Sequence, residues 1–204
     1  MSRQALAAIA LVLLATACGG NPPHPRQPAV SPITMKWITR AEEQEQMRQH
    51  NRARLLYLRA KRESPDDASR AYAAAEYASI LDLWDERDEA RRQLLDATSL
   101  APDVPRYWHD LGIVETRMGH DAAAEQALRQ AVKLAPRDPR PHVALADLYR
   151  QIGRYHDAIV ELQICLELDI PHKVRRAIEQ RALPDLRRAA AGHPGQLARP
   201  GSPR

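Results

Sequence analysis

The feature that most constrains this chain is a recurrence of small residues at a fixed step. Ala41, Ala78, Gly112 and Ala146 form one column, Ala53, Ala90, Ala124 and Ala158 a second, and Ala60, Ala97, Ala131 and Cys165 a third. Each column advances by 37, 34 and 34 residues. Tyr57, Leu94, Leu128 and Leu162 keep the same step, as do Pro65, Pro102 and Pro136, with Pro171 one residue late. A period of this length means that one supersecondary unit is copied and stacked, each copy burying the face its neighbour would leave open. No alternation of apolar and polar residues occurs, so an all-α chain is expected. Aromatic residues make up only 4% of the sequence and Phe is absent, so the core must come from close helix approach rather than bulky filling.

The stretch YWHDLGIVETRMGHDAAAEQALRQAVKLAP, residues 107–136, sets Trp108, Leu111 and Gly112 in a W-x-x-L-G arrangement and follows them with Ala124, Leu128, Ala131 and Pro136. It resembles the tetratricopeptide repeat, which is built from two helices per 34 residues. The resemblance implies a right-handed solenoid of about four helix-turn-helix repeats, with units at 34–67, 71–104, 105–138 and 139–172. The extra residues 68–70 are expected to lengthen the first connection. The first unit departs from the pattern, with Arg40 and Gln44 at sites that are usually apolar, as suits an end repeat with one open face. Gly119 and Gly153 fall between paired helices, where glycine tolerates the turn. After His172, Val174, Ala177, Ile178 and Ala182 share one helical face, the form of a capping helix. Pro184 opens a further short helix, so 173–191 reads as the cap and 192–204 as a disordered tail.

At the other end, Ala5 to Ala17 is an uncharged run of 13 residues. That is short of the roughly 20 needed to cross a bilayer and has the size of a signal's apolar core. The sequence Leu14-Ala15-Thr16-Ala17-Cys18 resembles the lipobox of bacterial lipoproteins, with Ala15 where leucine is usual. The resemblance implies that residues 1–17 are removed and that Cys18 becomes the lipidated N-terminus, anchored stably because several acyl chains are attached. Asn21 to Pro32 holds five prolines in twelve residues. Residues 18–33 are therefore expected to be a Pro-rich linker, in which Asn21 to Pro32 forms an extended spacer of roughly 40 Å, at about 3.1 Å per residue. Gly19, rather than an aspartate, follows the cysteine, which favours the outer membrane over the inner one.

Formal net charge is +4. It is split unevenly, with eight basic and two acidic residues from Lys173 onward. The repeats themselves are slightly acidic, which argues against nucleic acid as a partner. The basic tail is expected to be a solvated cap, with an anionic surface as its alternative role. No phosphate loop, H-E-x-x-H, paired C-x-x-C or nucleophile elbow is present. Neither a cofactor nor catalysis is expected. Cys165 stands in a small-residue core column, and His109 and His142 lack a third ligand at useful spacing, so no metal is expected either. Trp37, Trp84 and Trp108 are read as packing residues, with Trp84 the most exposed. The run Glu42 to Gln46 is read as a solvated helix face.

In tetratricopeptide repeats the first helix of each unit lines a groove. Carried over by register, the lining is Met35, Ile38, Glu42 and Glu45, then Tyr72, Ala75, Ser79 and Asp82, then Arg106, His109, Ile113 and Arg117, then Arg140, Val143, Asp147 and Arg150. These side chains run from acidic to basic. The basic end is expected to suit an acidic partner segment with an apolar anchor near Ile113 or Val143. The clamp of Asn and Lys pairs that holds C-terminal carboxylates in chaperone-binding relatives is missing. The expected function is that of a lipid-anchored scaffold in the bacterial envelope, facing the periplasm and binding another envelope protein. It resembles repeat-bearing lipoproteins that assemble pilus secretins or other outer-membrane complexes. An adaptor for cell-wall enzymes is the alternative.

Overall fold

The computed structural model describes residues 29–192. The expected signal segment 1–17, Cys18, the linker up to residue 28 and the tail beyond 192 lie outside the described residues. Among those described, every regular element is helical and none is a strand. The all-α expectation holds. The chain divides into two compact units, with the boundary after His120, inside the third expected repeat.

The first unit contains α1 (Pro32–Gln46), α2 (His50–Glu63), α3 (Asp67–Leu83), α4 (Arg87–Leu100) and α5 (Pro105–Met118). Helices α1 and α2 pack as one hairpin and α3 and α4 as the next, while α1, α3 and α5 also touch in sequence as neighbouring first helices. The small columns explain the closeness. Ala41, Ala53, Ala60, Ala78, Ala90 and Ala97 are all fully buried, with Tyr57 and Leu94 between them. Tyrosine takes the place of the missing Phe: Tyr57 stacks on Tyr77 with ring centroids 5.4 Å apart and planes inclined by 13°.

The second unit contains α6 (Asp121–Leu134), α7 (Pro139–Gln151), α8 (Tyr155–Glu167), α9 (His172–Ala177), a π-helical stretch Ile178–Ala182, and α10 (Leu183–Ala191). Ala124, Leu128, Ala131, Ala146, Ala158, Leu162 and Cys165 are buried here as the columns require. The cap packs α10 against α8 through Leu183, Leu186 and Ala190. The two short helices expected for the cap join into one rod. Pro184 has no N–H and its ring crowds the preceding turn, and the rod accommodates it by widening: the Leu183 N–H reaches back five residues to the Ile178 carbonyl. Of the face expected from sequence, Val174, Ile178 and Ala182 are buried and Ala177 is half-buried.

Two boundaries differ from expectation. Helix α1 begins at Pro32, with the Ser31 hydroxyl accepting from the Ile33 N–H at 3.3 Å, so the spacer ends earlier than residue 33. Residues 68–70 do not lengthen a connection. They lie inside α3, which has 17 residues where α5 has 14 and α7 has 13. Asp66 caps this added turn by accepting from the Ser69 N–H at 2.7 Å, and the Ser69 hydroxyl in turn accepts from the Ser31 N–H at 2.9 Å.

The turns inside the hairpins share one conformation. Arg48, Asp85, Gly119 and Gly153 all have positive φ, at 56°, 66°, 76° and 82°. They follow one another at the step of the repeat. After three of them the next N–H returns to a carbonyl five residues back: Gln49 to Gln44, Glu86 to Leu81 and His120 to Glu115. The glycines at 119 and 153 mark this turn in the sequence. Arg48 and Asp85 hold it without that signal.

Candidate functional site

The face that the first helices present in the first unit is polar and strongly paired. Arg106 on α5 reaches back to Glu76 on α3, Nη2 to Oε1 2.8 Å, and lies 3.4 Å through Nε from Asp110 Oδ2. Burial opposes the charge on Arg106, but Glu76 and Asp110 outweigh it and raise its affinity for the proton. Arg117 closes in the same way on Asp82 of α3. Burial first and the Glu76 carboxylate second push the pKa of Tyr72 up. His109 Nδ1 lies 3.0 Å from Asp110 Oδ1. Glu45 accepts from Trp84 Nε1 at 3.0 Å and lies 3.1 Å from His50 Nδ1. Trp84, expected as the most exposed tryptophan, is half-buried through this bond and an edge contact with His50.

Glu42 stands apart. It forms no ion pair among the described residues, and partial burial together with the Glu76 carboxylate raises its pKa. Ser79 and Met35 are exposed and Ile113 is half-buried, so these side chains are presented as expected. Ile38 and Ala75 are not, since both are buried in the core.

On α7 of the second unit the expected residues fare differently. Arg140 folds onto Asp138, Nη2 to Oδ2 2.6 Å, and Arg150 onto Asp147, Nη2 to Oδ1 2.6 Å. Val143, expected as an apolar anchor, is only 3% exposed and belongs to the core. The expected basic end is thus corrected: Arg106, Arg117, Arg140 and Arg150 each hold an internal carboxylate. A guanidinium already forked onto a carboxylate has little left to offer an acidic partner.

A charge on α5 has no counterpart in the repeat pattern. Glu115 of α5 occupies the position filled by Leu81 and Tyr149 in the neighbouring repeats, yet it is buried. Among the described residues no cluster of three or more His, Cys, Asp and Glu side chains is arranged to hold a metal. His142 is buried with Nδ1 2.8 Å from Glu161 Oε2, and His109 lies in the other unit. Cys165 is fully buried, and burial first, then Glu161, pushes its thiol up to about 12. It packs as a small apolar residue in the place of alanine.

The tetratricopeptide repeat family matches residues 105–148 and 139–169 of this chain. No curated protein matches it. Among solved structures, that of MamA aligns with a TM-score of 0.60 at 15% identity, over 83% of this chain and 98% of MamA. PilF of Pseudomonas aeruginosa aligns with a TM-score of 0.57 at 18% identity, over 95% of this chain and 94% of PilF. A chain of the APC/C hetero-tetramer Cut9–Hcn1 aligns at 0.59 and 18% identity, over 74% of this chain but 30% of that one. At such identities the likeness is one of fold: helix-turn-helix repeats closed by a C-terminal helix. Repeats of this kind are scaffolds for binding other proteins.

Proposed function

We propose, starting from a chain that carries tetratricopeptide repeats, that it is a lipid-anchored scaffold of the bacterial envelope whose first-helix face binds a basic segment of another envelope protein. The observation that carries the partner's chemistry is the pairing of the arginines. Arg106 and Arg117 are each closed onto a carboxylate of α3, while Glu42 has no cation. Glu42, Glu76, Asp82 and Asp110 outnumber the guanidiniums that reach them, those of Arg106, Arg117 and, 3.8 Å from Asp82, Arg87. A lysine or arginine entering beside Tyr72 would relieve the repulsion between Glu42 and Glu76. Exposed Ser79 and half-buried Ile113 offer a hydroxyl and an apolar contact along the same face. The anchor rests on the lipobox-like stretch ending at Cys18, and the envelope location follows from it. Assembly of an outer-membrane or pilus complex is the process we favour.

The test is in-cell cross-linking of the tagged chain followed by mass spectrometry, beside a Glu42→Lys/Ser79→Lys variant. Both positions are exposed, so the fold survives the change. A partner captured by the native chain and lost in the variant supports the face. Identical capture by both overturns it. The identity of the partner decides between outer-membrane assembly and a cell-wall adaptor. Fatty-acid labelling of Cys18→Ser tests the anchor separately, and label that persists in that variant removes the lipobox reading.

A further inference from the structure

One corner of the first unit breaks the rule that its arginines are internally paired. On α1, Ile33, Lys36, Trp37 and Arg40 recur at helical spacing, and on α2 so do Leu55, Leu58, Arg59 and Arg62. The two stripes meet at Trp37. The Arg59 guanidinium carbon stacks 3.9 Å from the indole centroid, with that of Arg40 at 5.1 Å and Lys36 Nζ at 5.5 Å. Among the described residues a single carboxylate serves this group. Glu63 accepts from Trp37 Nε1 at 2.8 Å and from Arg59 Nε at 2.7 Å. Lys36, Arg40 and Arg62 are exposed and form no ion pair among the described residues. Large apolar side chains stand beside them in the open, with Ile33 50%, Leu55 67% and Leu58 43% exposed.

We propose that the cations gathered round Trp37 — Lys36, Arg40, Arg59 and Arg62 — dock on the headgroups of anionic phospholipid, with Ile33 and Leu58 entering the interface. Uncompensated cations alone would suit any polyanion. Exposed isoleucine and leucine within a turn of them fit a surface that presents negative charge above an apolar layer. Guanidinium forks match phosphate oxygens two at a time, and Arg40 and Arg62 are free to supply them. Each cation near such a surface multiplies the partition by about fivefold. The cluster lies on the first two helices, so the spacer from Cys18 leads into it, but the inference does not depend on that anchor. It is also separate from the protein-binding face, with which it shares no residue.

The test uses the full chain with a photo-cross-linking amino acid at position 58, mixed with vesicles of phosphatidylcholine alone or of phosphatidylcholine with phosphatidylglycerol. The expected result is phosphatidylglycerol adducts at position 58, reduced at least tenfold by Arg40→Glu/Arg62→Glu. Circular dichroism of the variant, unchanged because both sites are exposed, shows that folding is not the cause. Absence of lipid adducts overturns the proposal, as do equal yields on the two vesicle types or yields that ignore the double reversal. Capture of an acidic protein at position 58 in cells, without lipid adducts, overturns it in favour of a protein site. Partner capture through Glu42 and Ser79 is unchanged in the Arg40→Glu/Arg62→Glu variant, so the two proposals fail independently.

Discussion

Arg91 donates through Nε to Glu115 Oε1 at 2.7 Å, and Glu115 is only 2% exposed. The other oxygen of Glu115 lies 2.7 Å from His120 Nδ1. The register explains why a carboxylate is buried there. Arg54, Arg91 and Glu125 occupy one column, and Glu86, His120 and Arg154 another. In two places the columns pair directly, Arg54 with Glu86 at 2.5 Å and Arg154 with Glu125 at 2.9 Å. In the middle both partners are basic side chains, and Glu115 replaces an apolar residue to join them.

A compensated exchange follows from this. Glu115→Leu restores the side chain found at position 81 but leaves Arg91 facing His120, and should cost about 1–2 kcal/mol. Adding His120→Glu supplies the direct pair used elsewhere and should recover most of the loss. Thermal melts of the two single variants and the double variant measure the coupling, expected at about 1 kcal/mol. An additive double variant would mean that the columns do not communicate.

The left-handed turns make a second prediction. Asp85 holds φ at 66° without the freedom of glycine, and its ion pair with Arg87 is largely exposed. Asp85→Gly should therefore stabilise the protein by about 0.5–1 kcal/mol. Gly119→Ala should destabilise it by a similar amount or more, since nothing crowds a Cβ there and the backbone angle alone is at issue. Urea midpoints of the two variants should move in opposite directions.

The cap gives a third. Leu186 of α10 is buried against the last repeat, and Leu186→Ala removes that contact from the end of the stack. A loss of about 2–4 kcal/mol is expected in chemical denaturation. Arg187→Ala, exposed on the same helix, should be silent.

The buried phenols and thiol set the alkaline limit. Burial raises the pKa of Tyr57 and pushes Tyr107 up to about 12, as it does Cys165. For each group the unfolded chain releases its proton at a lower pH than the folded one. Between about pH 9 and 12 the folded state therefore binds more protons, and stability falls as pH rises. Unfolding monitored by circular dichroism from pH 9 upward should coincide with ionisation of tyrosine at 295 nm. Cys165 should react with a thiol reagent at pH 8 only once the protein is denatured.

The periodic part of this architecture was legible because small residues in a close-packed interior have no substitute. Ala41 or Ala124 can be read from sequence since any larger side chain would separate the helices. The added turn of α3 was not legible, because Ala68, Ser69 and Arg70 serve a helix or a loop equally well and the Asp66 cap decides between them. The face was misjudged for a different reason. Whether Arg117 is free depends on Asp82, 35 residues earlier, and whether Val143 is presented depends on helices packed over it. The basic corner was likewise invisible until the α1–α2 hairpin set Arg59 against Trp37.

The bond between the Ser31 N–H and the Ser69 hydroxyl has a mechanical meaning. It fastens the residue that starts α1 to the added turn of α3, across the intervening hairpin. A pull on the chain upstream of Ser31 is then passed to α3 as well as to α1 while that fastening lasts.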